Sequence, residues 1–225
     1  ITGDAAMCGR YELKGKARAL NRHFPQLNLS QGEMPQTGEI HPTDTVLMIT
    51  TGNSTGTGTG YLAAKARWGL VGSFLDHAPR SPLITLPSEG LASKPFYSKI
   101  LKRNGCLIPA TAFYEWQSLA GGKHKMRISP PAGEALMFAG IFDQHPLAGT
   151  TCAILTTAAN RTVSQVHDRM PVILDHDEGS FWLSEHEEFP ETEFTTMLQT
   201  PSRHTLTIEA VIEEAPSPQL SLVFA

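Results

Sequence analysis

The sequence predicts an α+β fold: a single domain built on a curved, barrel-like, mainly antiparallel β-sheet with a few flanking helices. Three observations carry this expectation. Short runs rich in apolar and β-branched residues recur along the chain, among them DTVLMITT, GCLIPATAFYEWQ, ALMFAGIFD and TCAILTT, and such runs form strands. Segments with helical spacing are few and short, which leaves helices to flank the sheet. No linker or internal repeat divides the 225 residues, and many short strands in one unit close into a curved or barrel-like sheet.

In chain order, LKGKARALNRHF sets Leu13, Ala17, Leu20 and Phe24 on one helical stripe, and this helix ends before Pro25. DTVLMITT and YLAAKARWGL read as strands joined by GNSTGTGTG, a hairpin with a flexible tip. The tract carries Gly56, Gly58 and Gly60, but no Lys-Ser/Thr follows and no helix opens there, so a surface loop is favoured over a phosphate cradle. LASKPFYSKILKR reads as a helix, followed by strands in GCLIPATAFYEWQ, HKMRIS, ALMFAGIFD, TCAILTT and PVIL. HDEGSFWLSEHEEF reads as an acidic surface, ETEFTTMLQT as a late helix and HTLTIEAVI as a final strand. Residues 7–213 form the expected domain, 1–6 a leader or cloning remnant, and 214–225 a loosely ordered tail.

Composition excludes several classes of function. No apolar run approaches the roughly 20 residues of a membrane span, so a cytoplasmic protein with no membrane partner is expected. The three cysteines, Cys8, Cys106 and Cys152, are too widely spaced for a disulfide framework or a clustered zinc site. Nine histidines occur without HExxH or Cys-x-x-Cys, so neither a metal nor another cofactor is expected. A serine hydrolase lacks its G-x-S-x-G elbow.

A net charge of −4 argues against nucleic acid, but the charge is uneven. Lys94, Lys99, Lys102 and Arg103 occupy a stretch without acids, and Lys123, Lys125 and Arg127 follow in KHKMR. With Trp68 and Trp116 to stack on bases, these patches fit single-stranded DNA; they fit a solvated helix face and a basic hairpin equally well.

Three residues could carry chemistry. In MCGR, Cys8 follows Met7 directly; it is either a small core thiol or, with Met7 removed, a terminal residue with an α-amine beside its sulfur. A terminal amine, of reference pKa about 8, is partly neutral at physiological pH and condenses with an aldehyde, after which the thiol can close a five-membered thiazolidine. If residues 1–7 stay attached, an amide replaces that amine.

Glu115 stands in AFYEWQ, where alternation pairs its face with Phe113 and suits a proton shuttle with an upward-shifted pKa. The opposite phase would bury Tyr114 and Trp116 and leave Glu115 in water. In QVHDRMPVIL, His167 and Arg169 alternate, which offers an acid/base group beside a phosphate-binding cation; a lone histidine is otherwise structural or solvated.

Taken together, MCGRY, ARWGLVG, SEGLASKPF, GCLIPATAFYEWQ and ILTTAANRTVSQVHDRMPVIL resemble the SRAP family, the SOS response-associated peptidase-like proteins. The resemblance runs over roughly residues 7–176. It implies recognition of abasic sites in single-stranded DNA and capture of the sugar aldehyde by an N-terminal cysteine. It implies that Cys8 crosslinks, Glu115 moves protons and His167 is the active-site histidine. A monomer that associates with the nucleoid when bound to DNA is expected.

Arg10, Trp116 and Arg169 fall where the family grips DNA, and Trp68, Thr85 and Lys94 complete the expected binding set. Two departures stand out. Thr85 and Pro87 replace the asparagine and arginine of the family's Asn-Ala-Arg-Ser-Glu-like stretch, and Gly72 and Phe74 alter its WGL-x-P-x-W pattern. Two rival readings accompany the crosslinking one: a self-processing cysteine peptidase that exposes Cys8, and a non-catalytic single-stranded-DNA-binding module.

Overall fold

A computed structural model describes residues 9–14, 38–53, 59–81, 83–132, 134–184 and 191–212. The helix expected in LKGKARALNRHF lies outside the described residues except at its start, and there the structure differs. Leu13 closes a strand, β1 (Arg10–Leu13), because it shares with Tyr11 a buried pleat of a sheet. The tip of the glycine tract and the tail from 213 onward also lie outside the described residues.

The core is organised by strands buried on both faces. β3 (Thr45–Asn53) and β4 (Thr59–Trp68) form the expected antiparallel hairpin. β6 (Gly105–Ala110), β9 (Leu136–His145) and β10 (Gly149–Ala158) complete a ring in the order β10-β4-β3-β6-β9, closed by the β9–β10 pairing. The ring is antiparallel except where β10 meets β4 in parallel. β5 (Thr85–Pro87) runs parallel to β10, and β11 (Arg169–Pro171) pairs with its far end.

Each ring strand contributes to two apolar clusters by alternation. Val46 and Met48, Cys106 and Ile108, and Cys152 and Ile154 pack with Tyr11, Trp68 and Phe113 on one side. Leu47 and Ile49, Leu107, and Ala153 and Leu155 pack against helices on the other. Burial on both faces explains why these strands read as unbroken apolar runs rather than alternating ones.

The helices cover the second cluster. They are α1 (Pro95–Leu101), α2 (His176–Leu183) and α3 (Glu191–Gln199). α2 corrects the sequence reading, which took HDEGSFWLSEHEEF for acidic surface. Its acids make a capping box: Glu178 N–H donates to Asp175 Oδ1 and Asp175 N–H to Glu178 Oε2, each at 2.9 Å. The helix then buries Trp182 and Leu183. The Trp182 indole donates to the Cys106 carbonyl at 3.0 Å, and a Cβ on neighbouring Gly105 would lie 3.1 Å from that ring, so this approach favours glycine. A second correction concerns PVIL: the strand is Arg169–Pro171, after which Ile173 makes an isolated bridge to Phe138.

A second sheet packs on the first cluster. β7 (Ala112–Leu119) and β8 (Gly122–Ser129) form a hairpin, flanked by β12 (Thr207–Ala210) on one side and by β1 and β2 (Gly38–Ile40) on the other. Its inner pleat carries Tyr11, Leu13, Phe113 and Ile128, all buried. Its outer pleat carries Arg10, Glu12, Tyr114, Trp116, Lys125 and Arg127.

Candidate functional site

The alternation that buries Phe113 also settles the phase of Glu115. Both side chains occupy the inner pleat, and Glu115 is 3% exposed despite being a carboxylate. It stands opposite Met126 on β8. On its other side the register with β1 pairs Tyr11 with Phe113 and Arg10 with Tyr114, so one further step sets Gly9 level with Glu115. Cys8 is bonded to Gly9 and lies outside the described residues.

The loop with His167 is tied to the same strand. Gln117, on Glu115's pleat, donates from Nε2 to the carbonyl of Gln165 at 2.8 Å. Gln165 ends a single 3-10 turn, Val163–Gln165, and His167 follows two residues later. Asn160 nucleates this turn by accepting from Thr162 N–H and Val163 N–H, while its amide donates to the Ser202 carbonyl at 3.1 Å. The loop that carries His167 is therefore tied to β7 at Gln117, two residues beyond Glu115 on the same pleat.

The histidine has a defined orientation. Its Nδ1 accepts from Arg169 N–H at 3.1 Å and lies 3.0 Å from Asp168 Oδ1. Nδ1 serves one of these at a time: unprotonated it accepts from the Arg169 backbone, and protonated it donates to Asp168.

The side chain of Arg169 has partners of its own. Its guanidinium forms a fork on Glu89, with Nη2 2.7 Å from Oε2, and also donates to the Thr156 carbonyl at 2.9 Å. The hydrogen bond from Arg169 holds the Glu89 carboxyl below its usual range, against the opposing effect of burial. Glu89 thus occupies the cation that a phosphate would seek. Arg10 lies on the outer pleat, 5.4 Å over the half-buried Trp116 ring and bonded to Glu39 Oε1 at 2.9 Å.

The remaining cysteines are unsuited to nucleophilic work. Cys106 and Cys152 are fully buried, and desolvation pushes the first thiol well above its ordinary pKa and the second up to about 12.

Comparison with known proteins shows the family. The family described as SOS response associated peptidase (SRAP) matches residues 7–217. The chain belongs to the SRAP family. Among curated SRAP relatives, the abasic site processing protein YoaM of Bacillus subtilis is 32% identical over 197 residues, covering 82% of each chain. The abasic site processing protein HMCES of Gallus gallus is 36% identical over 141 residues, covering 50% of this chain and 42% of that protein. A crystal structure of a Bordetella bronchiseptica protein shares the fold, with a TM-score of 0.75 at 20% identity over 92% of this chain and all of that one.

Within this SRAP fold the expected DNA-binding set separates. Trp68 must be withdrawn as a stacking residue: it is 0% exposed, its indole donates to the Ile84 carbonyl at 2.9 Å, and Tyr11 meets it edge-on. Thr85 is half-buried in β5 opposite Ile154. Lys94 is exposed, 5.9 Å over the Tyr97 ring.

Phe74 stands 66% exposed with its ring edge on Phe96 at 4.5 Å, and Phe96 in turn meets Tyr97, the ring under Lys94. Gly72 permits that arrangement, because a Cβ there would fall 2.9 Å from Phe96. Sequence reasoning missed Glu89, Asn160, Gln117 and Glu12. Glu12 had a signal: between buried Tyr11 and Leu13, alternation gives it the same pleat as Arg10.

No described helix is long and apolar enough to cross a membrane.

Proposed function

We propose that this protein captures abasic sites in single-stranded DNA, joining Cys8 as its N-terminal residue to the sugar aldehyde in a thiazolidine. The observation that carries the reading is the buried carboxylate of Glu115, level with Gly9, to which Cys8 is bonded. The abasic-site role follows from family membership and from relatives named as abasic site processing proteins.

The steps balance. The neutral α-amine of Cys8 adds to C1′ of the ring-opened sugar and gives a carbinolamine. Glu115 as the carboxylic acid protonates the departing hydroxyl, water leaves, and the resulting carboxylate takes the proton from nitrogen, so that a neutral imine forms and Glu115 is restored. The thiol then adds to the imine carbon; a C–S bond forms and the thiol proton passes to nitrogen. Amine, thiol and aldehyde thereby become thiazolidine plus one water. His167, through Nε2, exchanges the proton that opens the closed sugar to its aldehyde. Arg10, Trp116, Lys94 and, once Glu89 yields, Arg169 hold the strand. Two cysteines are buried with raised thiol pKa values, which supports Cys8 as the reacting one.

The test mixes protein beginning at Cys8 with a single-stranded oligonucleotide bearing one abasic site, followed by a denaturing gel. A slow, nuclease-sensitive band is expected, and it should vanish with Cys8→Ala. Salt-sensitive binding without a band would instead favour the non-catalytic module. Expression with residues 1–7 encoded, followed by intact mass, examines self-processing: a chain starting at Cys8 that is not obtained with Glu115→Gln would favour the peptidase.

A further inference from the structure

The outer pleat of the second sheet holds a buried carboxylate that the crosslinking chemistry does not use. Glu12 lies directly opposite Glu39 across the β1–β2 pair, an arrangement that repels unless cations intervene. Lys125 and Arg10 serve Glu39. Glu12 is 1% exposed and is served from several elements at once. Lys14 Nζ donates at 2.7 Å, the Tyr114 hydroxyl of β7 at 2.8 Å, Arg127 Nη2 of β8 at 2.9 Å, and Thr111 Oγ1, between β6 and β7, at 3.2 Å.

We propose that Glu12 is a positioning residue for the crosslink, pinning β1 to β7 and β8 so that the chain at Gly9 stays level with Glu115. This rests on the crosslinking function proposed above. β1 has only four residues, and its register decides where the residue bonded to Gly9 meets the sugar. A slip by one residue would shift the chain by about 3.3 Å and turn every side chain to the other pleat. Glu12 would then enter the apolar pleat of Phe113, and Tyr11 would leave it. The clamp therefore makes one register the only one with a satisfied charge, and reacting atoms must meet within about 3–3.5 Å.

The experiment uses protein beginning at Cys8 and abasic single-stranded DNA, and reads single-turnover crosslinking at saturating DNA alongside affinity for the same DNA. Glu12→Gln keeps the shape but sets an amide against Lys14 and Arg127. Its rate should fall about 10-fold, as a misplaced reacting group does, with affinity unchanged. Glu12→Asp should recover part of the loss. Tyr114→Phe removes one of the four donors, so it should slow the reaction less, and combining it with Glu12→Gln should add little.

If Glu12→Gln does not fold, Tyr114→Phe carries the test by the same two readouts. Unchanged rates, or rate and affinity falling together with the folded fraction, would overturn the positioning role while wild-type crosslinking leaves the proposed function intact. Absence of a wild-type crosslink would overturn both.

Discussion

Glu12 and Glu115 are buried to nearly the same degree in neighbouring strands of one sheet, yet they face opposite ways. Glu12 faces the outer pleat, among Lys14, Arg127 and Tyr114. Burial alone would raise its pKa, but hydrogen bonds from Arg127, Lys14 and Tyr114 outweigh that and bring it down to about 2. Glu115 shares its pleat with Phe113 and faces Met126 across the strand pair. The same residue type is therefore a fixed anion in one place and, in the function proposed above, the group that moves protons in the other. Pleat phase, more than burial, separates the two surroundings.

Substitutions can break this contrast. The largest effect is expected for Glu115→Gln, which should lower the crosslinking rate about 100-fold or more while leaving the melting temperature near wild type. Glu12→Ala should show the opposite weighting: a loss of about 2–3 kcal/mol in denaturant unfolding, because the four donors to that carboxylate lose their acceptor. Equal stability losses for the two variants would erase the distinction.

The pH dependence sharpens it. The folded pKa of Glu12 lies below the ordinary 4.5, so its stabilisation is fully present above that pH and is lost as pH falls toward about 2. The acid limb of the stability curve should lose about 2 kcal/mol that Glu12→Gln lacks, less than the full shift implies because Lys14 and Arg127 reach solvent. Tyr114, raised from 10 to about 12 by burial and its bond to Glu12, should weaken the fold as pH rises through that interval.

The smallest effect is expected at the Arg169 fork. Glu89→Gln should release the guanidinium and tighten binding to single-stranded DNA about 3-fold, with a steeper salt dependence by titration. An unchanged salt slope would mean that Arg169 does not contact phosphate.

The ring of strands was legible because burial on both faces leaves unbroken apolar runs such as DTVLMITT, and the β3–β4 hairpin followed from them. Glu115 was legible as one of two phases, and only the register with β1 and β8 chose between them. α2 was not legible because its apolar stripe is short and its acids were read as solvated; the capping pair Asp175 and Glu178 was the signal. Trp68 misled because an indole in a basic context looks like a stacking platform, whereas this one is a core ring with its N–H satisfied by Ile84. The Arg169–Glu89 fork joins residues 80 positions apart, and no local pattern announces it.

The most direct measurement is the mass of the crosslinked species after digestion to a nucleotide-bearing peptide. The expected adduct begins at Cys8, weighs one water less than its two components, and survives without borohydride because the imine carbon already carries sulfur. An adduct mapped to a lysine, or one recovered only after borohydride trapping, would contradict the thiazolidine and with it the role assigned to the chain terminus.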